Sequence, residues 1–223
     1  MAFTCAADID LPKEKVAIAL TGGHFGSHIG IIYHSVNDGM QLVHLAWHQL
    51  LLSENFPLKS GECWVASIAN VTPAASKQLV GVVRGLSKHL PKIKYGVNFL
   101  AAQNSIKPDG SYDPPIGSDG LTCATFILEF FRAASLRLID EETWKPTEAN
   151  IQWANDVCDL LAKHGADAVH VDHVRSNIKG LRVRPEEVAA SAENPRASWP
   201  VNFITAEKQA VKVMTSLQNI CLV

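Results

Sequence analysis

The sequence predicts an α+β fold: a mainly antiparallel sheet packed against a helix, with further helices after it. Three observations lead there. Four short apolar segments lie before residue 70, too close together for helical crossovers between parallel strands. The turn signal Asn37-Asp38-Gly39 separates the second from the third, as in a hairpin. Beyond residue 72 the apolar spacing changes to three and four, and strands followed by helices is the α+β order.

Lys15–Leu20 reads as the first strand, Thr21–Ser27 as a glycine-rich loop and His28–His34 as the second strand. Met40–Ala46 and Glu62–Ala69 are the third and fourth. Pro73–His89 carries Ala75, Leu79, Val82, Val83 and Leu86 at helical spacing, with Thr72 as N-cap. A polar loop, Asn104–Gly120, leads to a second helix over Thr122–Ser135. Thr147–His164 reads as a helix, Ala168–Val171 as a short strand, Ala189–Pro200 as a loop and Thr205–Leu217 as a terminal helix. Residues 1–140 form the predicted catalytic core, and 141–223 a helical extension packed on it, the whole making one compact domain.

The 223 residues are 47% hydrophobic and 19% charged, enough apolar content for a full core. The net charge of −2 gives no basic surface for nucleic acid. No apolar run reaches membrane-spanning length, and the first residues lack the apolar stretch of a secretory signal, so the default compartment is cytoplasmic. The five cysteines are scattered, without a CxxC pair, which predicts neither a disulfide framework nor a zinc ribbon.

One cysteine has a distinctive setting. Cys123 opens a helix whose Ala124, Ile127, Leu128 and Phe131 form the packing face. Unpaired N–H groups and the helix dipole favour a thiolate there, and the same groups suit an oxyanion. Cys5, Cys63, Cys158 and Cys221 read as inert thiols. A thiol nucleophile needs a base and a group that orients the base. His28 heads a strand, and His44 lies on the next one. With a five-residue hairpin loop, Ser35–Gly39, His34 pairs with Met40 and both histidines share a face, with Cβ atoms on the order of 7 Å apart. A four-residue loop would put them on opposite faces.

The segments His28-Ile29-Gly30-Ile31, Val43-His44-Leu45, Tyr95 with Phe99, and Thr122-Cys123-Ala124-Thr125-Phe126-Ile127 together resemble the circularly permuted NlpC/P60 papain-like group. That group includes YiiX/YaeF-like proteins and lecithin:retinol acyltransferase-like enzymes. Its histidine precedes its cysteine in the chain. The resemblance covers about residues 15–136. It implies a permuted papain-like fold and a thiol hydrolase, amidase- or peptidase-like, or an acyltransferase, with Cys123, His28 and His44 as catalytic residues and no cofactor or metal. The substrate would be a small-molecule or peptide-like acyl compound. Many relatives carry Cys-Ser-Glu or Asn-Cys-Glu where this chain has Thr-Cys-Ala. The sixteen-residue separation of His28 and His44 favours the hydrolase branch.

Trp47, Thr122 and Tyr95 are the candidate substrate-binding residues. Trp64, Trp144, Trp153 and Trp199 read as packing or surface anchors. The basic run Arg175, Lys179, Arg182 and Arg184 reads as a solvated face. Two other functions compete. One is a binding module with this fold but without the chemistry. The other is a metallohydrolase using the pairs His24/His28 and His44/His48 or the His170-Val171-Asp172-His173 cluster.

Overall fold

A computed structural model describes residues 3–23, 26–60 and 62–221. Six antiparallel strands form one sheet: β1 (Thr4–Cys5), β2 (Val16–Gly23), β3 (Gly26–His34), β4 (Met40–Trp47), β5 (Leu50–Asn55) and β6 (Val65–Ile68), in the order β1-β6-β2-β3-β4-β5. The loop expected over Thr21–Ser27 is mostly hairpin, since Thr21 pairs with His28 and Gly23 with Gly26. Its tip, with His24, lies outside the described residues. Strand β5 was not foreseen.

The β3–β4 hairpin has the five-residue loop. His34 pairs with Met40, and the Ser35 N–H donates to the Gly39 carbonyl at 2.8 Å. Alternation then divides the sheet. Ile29, Ile31, Tyr33, Val43 and Leu45 face the main core. Ile32, Leu42, Ala17, Ala19 and Trp64 face a smaller apolar cluster on the other side. Burial on both faces explains why Ile29–Tyr33 is apolar apart from Gly30.

The helices are α1 (Pro73–His89), α2 (Cys123–Ala133), α3 (Glu148–Lys163), α4 (Ala168–Ser176), α5 (Pro185–Glu193) and α6 (Phe203–Cys221). α2 is buried almost all round, as its unbroken run of apolar residues requires. Ala168–Val171 is the start of a helix, not a strand. The Asp167 carboxylate caps it, accepting from the N–H groups of Val169 and His170 at 2.9 and 3.3 Å. The predicted loop after Ala189 is half helix, because Pro185 starts α5 and an alanine-rich segment continues it.

The predicted extension shares the main core. Val188, Ala189 and Ala190 of α5 and Val213 and Leu217 of α6 are buried in the same cluster as the inner sheet face. A buried ion network also ties α2 to the chain beyond it: Arg132 meets Glu129 at 2.9 Å and Glu141 at 2.6 Å, and Arg137 meets Glu141 at 2.7 Å. A disulfide joins Cys63, just before β6, to Cys221 at the end of α6. This corrects the reading of both as inert thiols. Cys5, Cys123 and Cys158 are free. Among the described residues, no helix is long and apolar enough to cross a membrane.

Candidate active site

Cys123 is the first residue of α2. Thr122 caps the helix in a reciprocal box: the Thr125 N–H donates to Thr122 Oγ1 at 3.1 Å, and the Thr122 N–H to Thr125 Oγ1 at 2.7 Å. This corrects the reading of Thr122 as a substrate contact. Its hydroxyl is buried and spent on the cap, and it does not line the cavity described below.

The sulfur lies where β3 and β4 part. Their paired register ends at Ile31 and Val43, and beyond it the backbone N–H groups of Ile29, Ala124 and Cys123 itself bear on the thiol. These contacts favour a thiolate, as expected of a helix start. Burial outweighs them, however, and pushes the thiol up to about 11. The expectation of a depressed thiol pKa is therefore corrected. The side chain is only 7% exposed, a degree of burial that the helix-start argument did not include.

His28 and His44 share the sheet face of Ile32 and Leu42, as the five-residue loop requires. His28 Nε2 lies 2.8 Å from His44 Nδ1, and His44 Nε2 lies 3.0 Å from Glu54 Oε2. Glu54, on β5, is a diagonal cross-strand neighbour of His44, which pairs with Leu52. The chain of bonds fixes the tautomers. The Glu54 carboxylate accepts, so His44 carries its proton on Nε2. His44 Nδ1 then accepts from His28 Nε2–H, which leaves the His28 Nδ1 lone pair unused by the chain. Trp64 packs edge-on against both rings, with centroids 5.8 and 5.9 Å away. Burial, with the neighbouring His44 adding to it, lowers the His28 pKa to about 3.

Gly30 makes room for this pair. A Cβ there would lie 2.8 Å from Leu42 Cδ1, 3.0 Å from His44 Cβ and 3.1 Å from the Val43 carbonyl oxygen. Gly30→Ala should push His44 off His28. We expect about a hundredfold loss of any activity that depends on the pair, with about 1–3 kcal/mol lost in urea unfolding. Gly81→Ala, with nothing within 4 Å, is the control and should lose neither.

His28 and Cys123 line one cavity of about 550 Å³, although no hydrogen bond joins His28 to the sulfur. Trp47 and Tyr95 form its aromatic wall, with ring centroids 4.7 Å apart. A bulge in β4 between Leu45 and Trp47 marks the place where Trp47 enters this wall. The Tyr95 hydroxyl meets the backbone N–H and the thiol of Cys123, and burial raises its pKa strongly. Its backbone is clamped on both sides. The Tyr95 N–H donates to His48 Nδ1 at 3.2 Å, and its carbonyl accepts from His170 Nε2 at 3.0 Å. α3 closes the cavity with Trp153, Val157 and Leu160, so the region beyond residue 140 does roof the site.

The histidine pairs suggested for a metal come apart. His44 faces His28, whereas His48 stacks on His170 with centroids 4.7 Å apart. Among the described residues, no group of three His, Cys, Asp or Glu side chains is placed to hold a metal ion. Sequence reasoning missed Glu54 because Leu50–Asn55 was not read as a strand. Comparison with protein-family models, curated proteins and solved structures found no match.

Proposed function

We propose that this protein is a cysteine-dependent hydrolase of the permuted NlpC/P60 papain-like type, cleaving an amide or other acyl bond. The observation that carries the reading is the bonded chain Glu54–His44–His28, which ends on a cavity also lined by a cysteine at a helix start.

Both partners are neutral at rest: the thiol titrates at about 11 and the imidazole at about 3. The proton therefore moves as the acyl carbon is attacked, not before. His28 Nδ1 takes it while sulfur bonds to carbon. The imidazolium that forms is steadied through His44 by the Glu54 carboxylate. The Cys123 N–H and the Tyr95 hydroxyl converge where the oxyanion would develop. His28 returns the proton to the leaving group, and water then releases the acyl group from sulfur.

The raised thiol pKa and the missing His28–sulfur bond favour a second reading, a binding module that keeps the fold without the chemistry. One experiment separates the two. The protein is incubated with p-nitrophenyl acetate at neutral pH and the acetylated residue is mapped by mass spectrometry. A hydrolase acetylates at Cys123, ahead of Cys5 and Cys158, and the His28→Gln variant does so far more slowly. Equal labelling of the three thiols would leave only the binding module. The Cys63–Cys221 disulfide further supports an oxidising compartment over the cytoplasm expected from sequence.

A further inference from the structure

Arg182 does not lie on the solvated face expected of its basic run. Its guanidinium carbon sits 4.1 Å from the ring centroid of Trp153, and Trp153 lines the cavity beside Tyr95 and Cys123. Its charge is felt by both the Tyr95 hydroxyl and the Cys123 thiol. Other arginines of the chain are paired: Arg132 with Glu129 and Glu141, Arg137 with Asp140 and Glu141, and Arg175 with Asp159. Among the described residues Arg182 has no ion pair and no hydrogen bond. The carboxylates closest to it in charge, Glu186 and Glu187, are engaged elsewhere. Glu186 accepts from the Ser27 hydroxyl, and Glu187 accepts from the Arg184 N–H at 2.8 Å and from Trp144 Nε1 at 3.4 Å.

A half-buried arginine without a partner is uncommon, because a desolvated charge is costly unless something compensates it. Stacking on the indole compensates in part and uses only the face of the guanidinium. The N–H edges remain, in the fork geometry that matches a carboxylate. We propose that Arg182 binds a carboxylate of the substrate, so that the preferred acyl compounds carry a carboxylate close to the bond that Cys123 attacks. Its use in turnover rests on the hydrolase reading, but its test needs no turnover.

The test is the alkylation of Cys123 by two reagents of nearly equal size, iodoacetate and iodoacetamide, at alkaline pH. In each case the thiolate sulfur bonds to the methylene carbon, iodide leaves, and the thiol proton goes to buffer. Rates are read at Cys123 by peptide mass spectrometry, with Cys5 as internal reference. The thiolate fraction cancels in the ratio of the two rates. We expect Arg182→Gln to lower the iodoacetate-to-iodoacetamide ratio at Cys123 about tenfold, and Arg182→Lys to keep part of it. A ratio unchanged within twofold, or an equal slowing of both reagents, would overturn the proposal and leave Arg182 as a stacking residue or a modulator of the thiol. Should Arg182→Gln fail to fold, the unaltered protein supplies the answer. N-acetylglycine should protect Cys123 from iodoacetamide and N-acetylglycinamide should not; equal protection by both, or protection by neither, overturns the idea. If the hydrolase reading alone is wrong, no acetyl-enzyme forms but the ratio still responds to Arg182. If this proposal alone is wrong, the acetyl-enzyme forms and the ratio stays flat.

Discussion

Cys123→Ala is expected to lower turnover of any acyl substrate by at least about a thousandfold, while costing on the order of 1 kcal/mol in stability. The substitution deletes one sulfur atom beside the backbone of Ile29. It leaves untouched the cap made by Thr122 and Thr125 and the buried face of α2. Circular dichroism and urea unfolding should therefore match the parent closely, with only the rate collapsing. The neutral resting state adds a second expectation. With the thiol at about 11 and His28 at about 3, no thiolate–imidazolium pair exists before substrate arrives. Free Cys123 should then alkylate slowly at pH 7 even in a fully active enzyme. Full activity in Cys123→Ala would sink the mechanism. Fast alkylation of the free protein at pH 7 would sink the neutral resting pair.

The other large effect is on acid stability. In the unfolded chain His28 takes up a proton near its ordinary value of 6.5, but in the folded protein only near 3. Between those values the unfolded state holds the extra proton, so stability falls as pH drops through this window. Each unit of displacement corresponds to about 1.4 kcal/mol, which makes the loss several kcal/mol by the time His28 protonates in the fold. Asp119, Glu129 and Glu187 are held above the usual carboxylate range by burial, and they work in the opposite sense at acid pH. The informative quantity is therefore a difference. Urea midpoints of the parent should decline more steeply from pH 6.5 to pH 4 than those of His28→Gln. Parallel curves would mean that His28 is not held neutral.

Much of this site could be read from the chain, and the rest could not for physical reasons. The Asn37-Asp38-Gly39 turn and the period-two pattern around it fix the register that puts His28 and His44 on one face. Gly30, read only as a small neighbour, turns out to be the space His44 occupies. Glu54 was hidden because Leu50–Asn55 mixes three leucines with Ser53 and Glu54 and carries no clean alternation, and its strand depends on pairing with β4. The direction of the Cys123 shift was misread because a helix start is a local feature, whereas burial is set by elements far away in sequence. Arg182 looked like one of four solvated charges until the fold laid it on Trp153. The Cys63–Cys221 bond was illegible for the same reason, as spacing alone gives no clue to which distant thiols meet.

That bond makes most of the molecule a covalent ring. The partners are 158 residues apart, and the ring contains Tyr95, Cys123, Trp153 and Arg182, while His28, His44 and Glu54 lie on the short arm before it. A protease that nicks the exposed chain around Ile116, or any one bond between residues 63 and 221, opens the ring without releasing a fragment. The nicked protein would run as one species until reductant is added, and its two halves of the site would stay in register.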